Sequence, residues 1–72
     1  MYVEAAIIGA GFIGQLHRLA WEANGVQVRV MVDPYLPEQR RMELERLGVA
    51  VVDRIDEAYA LRPGLDAVSI CT

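Results

Sequence analysis

The sequence contains no lysine, and only one cysteine, one histidine, one phenylalanine and one tryptophan among its 72 residues. A single cysteine, Cys71, excludes an intrachain disulfide and a cysteine-rich metal site. A single histidine, His17, comes with no visible second ligand or base partner, which a metal site or an activated nucleophile needs. Ser69, Cys71 and Thr72 are the only serine, cysteine and threonine, and none has a general base nearby in sequence. All seven cationic side chains are arginines, and ten carboxylates outnumber them to give a net charge of −3. That balance lacks the clustered basic charge of a nucleic-acid arm or an anionic-membrane anchor. The longest apolar run, Ala5 to Ala10, falls far short of the ~20 residues of a membrane span. The start, Met1-Tyr2-Val3-Glu4, has no basic segment of the secretory type. These absences predict a soluble, cytoplasmic chain with neither nucleic acid nor membrane as partner.

What is present is apolar and ordered. At 54% hydrophobic residues the chain is too apolar for disorder. A chain of this size buries only about 60% of its unfolded surface, so one small core is expected. Its apolar segments alternate between two types. Val3 to Ile8 is a short apolar run ending at Gly9, the pattern of a strand buried on both faces. Phe12 to Asn24 has helical spacing, with Ile13, Leu16, Ala20 and Ala23 on one face, Arg18 and Glu22 as an i,i+4 pair, and Gly25 as a stop. Val26 to Val32 is a second strand, ending at Asp33-Pro34. Glu38 to Leu47 predicts a helix that Pro37 can open and Gly48 close, with a thin stripe of Met42, Leu44 and Leu47. Val49 to Val52 is a third strand. Asp53 is placed to cap a short helix through Ala60, with Asp56 and Glu57 in its first turn, and Pro63-Gly64 breaks it. Ala67 to Cys71 is a fourth strand. The order β-α-β-α-β-α-β predicts an α/β fold, with a three-layer, Rossmann-type parallel sheet of order 3-2-1-4 and a switch point between strands one and four.

The run Gly9-Ala10-Gly11-Phe12-Ile13-Gly14 spells G-x-G-x-x-G. The pattern alone is weak in a chain with six glycines, but here it follows a predicted strand and opens a predicted helix. Asp33 lies 19 positions beyond Gly14, at the end of the second strand. Together these form the dinucleotide-binding fingerprint. In that reading Gly9 makes the tight turn, Gly11 lets the backbone approach a pyrophosphate, and Gly14 lets the helix pack on the sheet. The pyrophosphate meets the N–H groups near Phe12 and Ile13 at the helix start. Asp33 accepts hydrogen bonds from the adenosine ribose, and its charge repels a 2′-phosphate, so NAD is favoured over NADP. Arg40 and Arg41, a little downstream, could soften that preference, although a solvated helix face accounts for them.

At these residues the sequence resembles a known family. Ile7-Ile8-Gly9-Ala10-Gly11-Phe12-Ile13-Gly14-Gln15-Leu16-His17, then Val32-Asp33-Pro34, then Gly64-Leu65-Asp66-Ala67-Val68-Ser69-Ile70-Cys71-Thr72 are similar to the opening of the glucose–fructose oxidoreductase/inositol dehydrogenase (Gfo/Idh/MocA) family. The resemblance implies a two-domain NAD(P)-dependent oxidoreductase, several times longer than this chain, acting on a sugar, cyclitol or similar alcohol/carbonyl pair. It also implies a catalytic lysine in a Glu-Lys-Pro motif after the fifth strand and an acid/base histidine in the second domain. Neither motif is present here. The expectation is therefore a partial dinucleotide-binding domain over residues 1–72, inactive alone, with the catalytic domain lying elsewhere.

Blander roles attach to several side chains. His17 reads as a packed residue with a hydrogen bond, and Cys71 as strand packing. Cys71 and Thr72 also fall at the carboxyl edge beside the switch point, where backbone contact with the cofactor is expected. Trp21 and Tyr59 cover apolar surface. Tyr35 fits an adenine neighbour and surface packing equally well. A stand-alone nucleotide-binding module remains an alternative. A methyltransferase-type fold is disfavoured by the third glycine, and a flavoprotein by aspartate rather than glutamate after the second strand. An apolar fourth strand left as an edge invites pairing. The sequence thus predicts either further strands from a longer parent chain or a second copy at that edge.

Overall fold

The computed structural model describes residues 3–9 and 11–71. Seven elements follow one another: β1 (Val3–Ile8), α1 (Phe12–Ala23), β2 (Val26–Val32), α2 (Glu38–Arg46), β3 (Ala50–Val52), α3 (Ile55–Leu61) and β4 (Ala67–Ile70). The four strands are parallel, in the order β3-β2-β1-β4. Fold class and strand order are those expected from the alternation of apolar runs with helical spacing.

The core lies in two sheets of contacts, one on each face. On one face Ile7, Val28, Met31, Leu44 and Val49 pack together, with Trp21 of α1 against them. On the other, Ala6, Val30 and Val32 meet Ala58 of α3. Helices α1 and α2 thus cover one face and α3 the other. Within α2 only Leu44 of the thin stripe is buried, at 1% exposure, while Met42 and Leu47 face solvent.

Strand β2 is irregular. Ala5 pairs with Val28 and Ala6 with Val30, so Arg29 is an extra residue in the ladder, a bulge. The bulge puts Val28 and Met31 on one face and Val30 and Val32 on the other. It also carries the Arg29 guanidinium to Glu4 Oε2, at 3.2 Å, rather than into the core. A buried unpaired charge would be costly there.

Glycines close α1 and α2: Gly25 (φ 80°) and Gly48 (φ 83°) take the left-handed conformation just past each helix. Arg18 and Glu22 form the expected pair at 3.2 Å. Two local expectations are corrected. The residue preceding α3 is Arg54, not Asp53, and no side chain caps the helix. The carboxylate of Asp53 is drawn instead to Arg41, at 3.3 Å. The apolar face that the spacing gives α1 is largely open rather than covered: Ile13 is 51% and Leu16 47% exposed. Inward contacts come instead from Gly14, which lies against the Gly9 carbonyl, and from Trp21, which packs on the core, with Gln15 reaching Met31. No helix of the described residues is long and apolar enough to cross a membrane.

Candidate functional site

The carboxyl ends of the strands form a cross-tied rim. Cys71 N–H donates to Ile8 C=O (2.8 Å), Gly9 N–H to Val32 C=O (2.8 Å), and Asp33 N–H to Val52 C=O (2.9 Å). Each strand therefore hands its last backbone bond to its neighbour, and the loops start from fixed positions.

From this rim the chain turns into α1. Gly9 has φ 92°, a conformation other residues adopt only under strain. Gly14 is required for a different reason: a Cβ there would lie 2.0 Å from the Gly9 carbonyl oxygen. Helix and turn are in backbone contact at that point. At Gly11, φ is −75°, and a Cβ would meet nothing within 4 Å. The open space beside Gly11 is what a bound group would fill, and a side chain there would take it. The first N–H groups of any helix lack intrahelical partners, and no side chain caps α1 or places an acid in its first turn. That combination suits an anion.

Asp33 stands at the end of β2, half-buried, with its Oδ1 accepting the Tyr35 N–H at 2.9 Å. This bond turns the chain back over the rim and fixes the carboxylate toward the space above the strands. A cavity of about 480 Å³ opens there, lined by Gly9 and Gly11 of the turn, by Asp33 and Tyr35, and by Cys71. The structure thus brings together five residues the sequence singled out. Phe12 and Ile13 open α1, where their backbone belongs to the helix start. The Ile13 side chain lines a separate groove. Ala10 and Thr72 lie outside the described residues.

Arg40 and Arg41 are engaged elsewhere. Arg40 pairs with Glu43 at 2.7 Å, and Arg41 donates to Val51 C=O and to Asp53. The cation that does line the cavity is Arg54, with Asp53 and Ile55 beside it. Sequence reasoning missed it. Its signal was positional: Arg54 is the second residue past the end of β3, in the loop that leaves the same rim as the loop after β2. Its guanidinium forks onto Asp56 (Nε–Oδ1 3.0 Å, Nη2–Oδ2 2.6 Å). That pairing raises the Arg54 pKa above its ordinary value and holds the Asp56 carboxyl below the usual carboxylate range.

A second groove, of about 610 Å³, runs between α1 and β4. His17 and Ser69 meet on it, Nδ1 and Oγ 3.0 Å apart, and Ile13, Leu16 and Trp21 give it an apolar lining. The hydrogen bond expected for His17 is the one to Ser69. Among the described residues no three of His, Cys, Asp and Glu converge as metal ligands would.

The geometry fits a dinucleotide: a helix start open to an anion, a glycine cradle, and a carboxylate at the end of the second strand. Comparison with known proteins agrees. Residues 3–72 match the family described as "Oxidoreductase family, NAD-binding Rossmann fold" (GFO_IDH_MocA). Among solved structures the chain is similar to GenD2 from gentamicin A biosynthesis, crystallised in complex with NAD. The two share 29% identity with a TM-score of 0.80 over 99% of this chain and 20% of that one. The chain thus spans about a fifth of that protein's length. No curated protein matches. The chain belongs to the Gfo/Idh/MocA oxidoreductase family and carries its NAD-binding Rossmann fold.

Proposed function

We propose that this chain is the adenosine- and pyrophosphate-binding portion of a cytoplasmic NAD-dependent oxidoreductase acting on a sugar, cyclitol or related alcohol/carbonyl pair. The observation that carries the binding site is the contact of Gly14 with the Gly9 carbonyl beside open space at Gly11, on the same rim as Asp33. Gly9, Ala10, Gly11, Phe12, Ile13 and Gly14 supply the turn and helix start that receive the pyrophosphate, with Cys71 and Thr72 contacting the cofactor at the switch point. Asp33 holds the ribose hydroxyls and disfavours a 2′-phosphate. When bound, NAD supplies the hydride acceptor. This chain's own work is to bind, orient and select the cofactor.

In this reading residues 1–72 are one partial domain, and a lysine and a histidine needed for proton transfer come from outside it. The chain alone therefore turns over no substrate. The edge of β4 receives either further strands of a parent chain or a second copy, a reading supported by the place of β4 at the end of the order β3-β2-β1-β4. Titration of NAD and NADP against the chain and its Asp33→Asn variant tests the assignment. The expected result is weak binding with NAD preferred, and a loss of about tenfold in NAD affinity on substitution, as for one lost charge-assisted hydrogen bond. Tighter NADP than NAD binding by the wild type sinks the role given to Asp33.

A further inference from the structure

We propose that Asn24-Gly25 is a modification site, an asparagine that deamidates when the last turn of α1 opens and that the closed turn protects. Asn24 is the only asparagine in the chain, and a glycine follows it directly. With no Cβ on Gly25, its nitrogen is unhindered for attack on the neighbouring side chain. The chemistry is internal. The Gly25 nitrogen loses its proton and forms a bond to Asn24 Cγ, and the Cγ–Nδ2 bond breaks to release ammonia, which carries the proton away. The five-membered imide then takes up one water and opens to aspartate or isoaspartate. No oxidant or reductant is consumed, and the chain gains one carboxylate.

The folded turn blocks each part of that reaction. Asn24 is the C-cap of α1, and its Nδ2 donates to the Ala20 carbonyl at 2.8 Å. The leaving amide is thereby tied back onto the helix. The attacking atom is occupied too: Gly25 N–H donates to the Glu22 carbonyl at 3.1 Å. An amide held as a donor gives up its proton less readily. Backbone direction is the third bar. Ring closure needs the Gly25 nitrogen swung to the side-chain side of the Cα–C bond, and at the Asn24 ψ of 17° tetrahedral geometry puts it well away. All three bars fall together when the last turn frays, a local opening that needs no global unfolding. Deamidation thus records openings of this helix end. Its product also changes the surface. Asn24 lines the groove between α1 and β4, where its neighbours Trp21 and Val26 are apolar. A carboxylate there has no N–H for the Ala20 carbonyl and sits at the negative end of the helix dipole. Isoaspartate in addition inserts one backbone carbon just before β2 begins at Val26.

The test is mass spectrometry of the chain incubated warm at mildly alkaline pH, with peptide mapping to separate aspartate from isoaspartate. The native chain should deamidate about thirtyfold more slowly than the same chain unfolded in guanidinium chloride, because opening gives up two hydrogen bonds. Ala23→Gly, which loosens the last turn at an exposed position, should raise the native rate about fivefold while circular dichroism shows the fold retained. Asn24→Gln, whose ring closure is six-membered and slow, should gain no mass on this timescale. Asn24→Asp, which installs the product directly, should melt about 5 °C below the wild type. If native and unfolded chains deamidate at one rate, the turn protects nothing and the proposal is overturned. If the unfolded chain does not deamidate, or Asn24→Gln gains mass as fast as the wild type, Asn24-Gly25 is not the site. An unchanged native rate in Ala23→Gly overturns the link to opening of α1, and an unchanged melt in Asn24→Asp overturns the effect on the helix end.

Discussion

The two flanks of β1 are built differently. On the side of β2 and β3, Val28, Val30, Met31, Val32 and Val49 are buried, and Leu44 and Ala58 close the layers above and below. On the side of β4 no residue of the strand is fully buried, Ile70 faces solvent, and the groove against α1 leaves Ile13 and Leu16 half in water. The closed flank supports Asp33 and the adenosine half of the proposed site. The open flank lies where a nicotinamide half would extend. In the proposed reading, the adenosine half of the cofactor draws on the closed side of the sheet, and the nicotinamide half would lie over the open side.

The largest expected break in this comparison comes at the hinge between the flanks. Gly14→Val drives a side chain into the Gly9 carbonyl. It is expected to cost about 3 kcal/mol, the upper end of ordinary overpacking, and to abolish NAD binding. Urea denaturation and titration check it together. Next come matched truncations. Leu44→Ala, on the closed flank, should cost about 3 kcal/mol. Leu16→Ala, on the open flank, should change stability by less than ~0.5 kcal/mol. Equal losses in denaturant melts would erase the distinction between flanks. A smaller effect is expected from Ile70→Lys, which places a charge on the exposed end of β4. Monomer stability should hardly move, while any self-association seen by sedimentation velocity should fall. Unchanged association would remove the β4 edge as a pairing surface.

The smallest effect concerns pH. Asp56 has a carboxyl pKa lowered in the folded state, chiefly by its hydrogen bonds from Arg54. Such a group contributes stability above the unfolded carboxylate pKa, and the contribution is lost as pH falls through the lowered folded value. Because the pair is fully solvated, wild type and Asp56→Asn should melt alike at neutral pH, and any gap should be small. Whatever gap exists should close in acid, below the ordinary carboxylate value of 3.8. A gap that widens in acid would reverse the sign assigned to the pair.

Strand order, turn and Asp33 were legible because each is set locally. A buried parallel strand is an apolar run, and a glycine fingerprint between strand and helix has one geometry. What escaped was set by neighbours distant in sequence. The bulge at Arg29 answers to Glu4, so the alternation Val26-Gln27-Val28-Arg29-Val30 misstates which valines share a face. Asp53 looked like a cap because nothing local reveals Arg41 coming from α2. Arg54 carries no motif; only the strand order puts it over the same cavity as Asp33. Along α1 the spacing gives one apolar face, but periodicity marks what could be covered, not what covers it.

The cross-tied rim has a consequence in time as well as in space. The amides of Gly9, Asp33 and Cys71 are each locked to a neighbouring strand, so they exchange with solvent only when the sheet itself opens. The amides at the start of α1 have no helical partner and exchange freely until something caps them. The molecule thus holds a slow frame around a fast mouth, and a ligand meets a receptor whose backbone needs little further ordering.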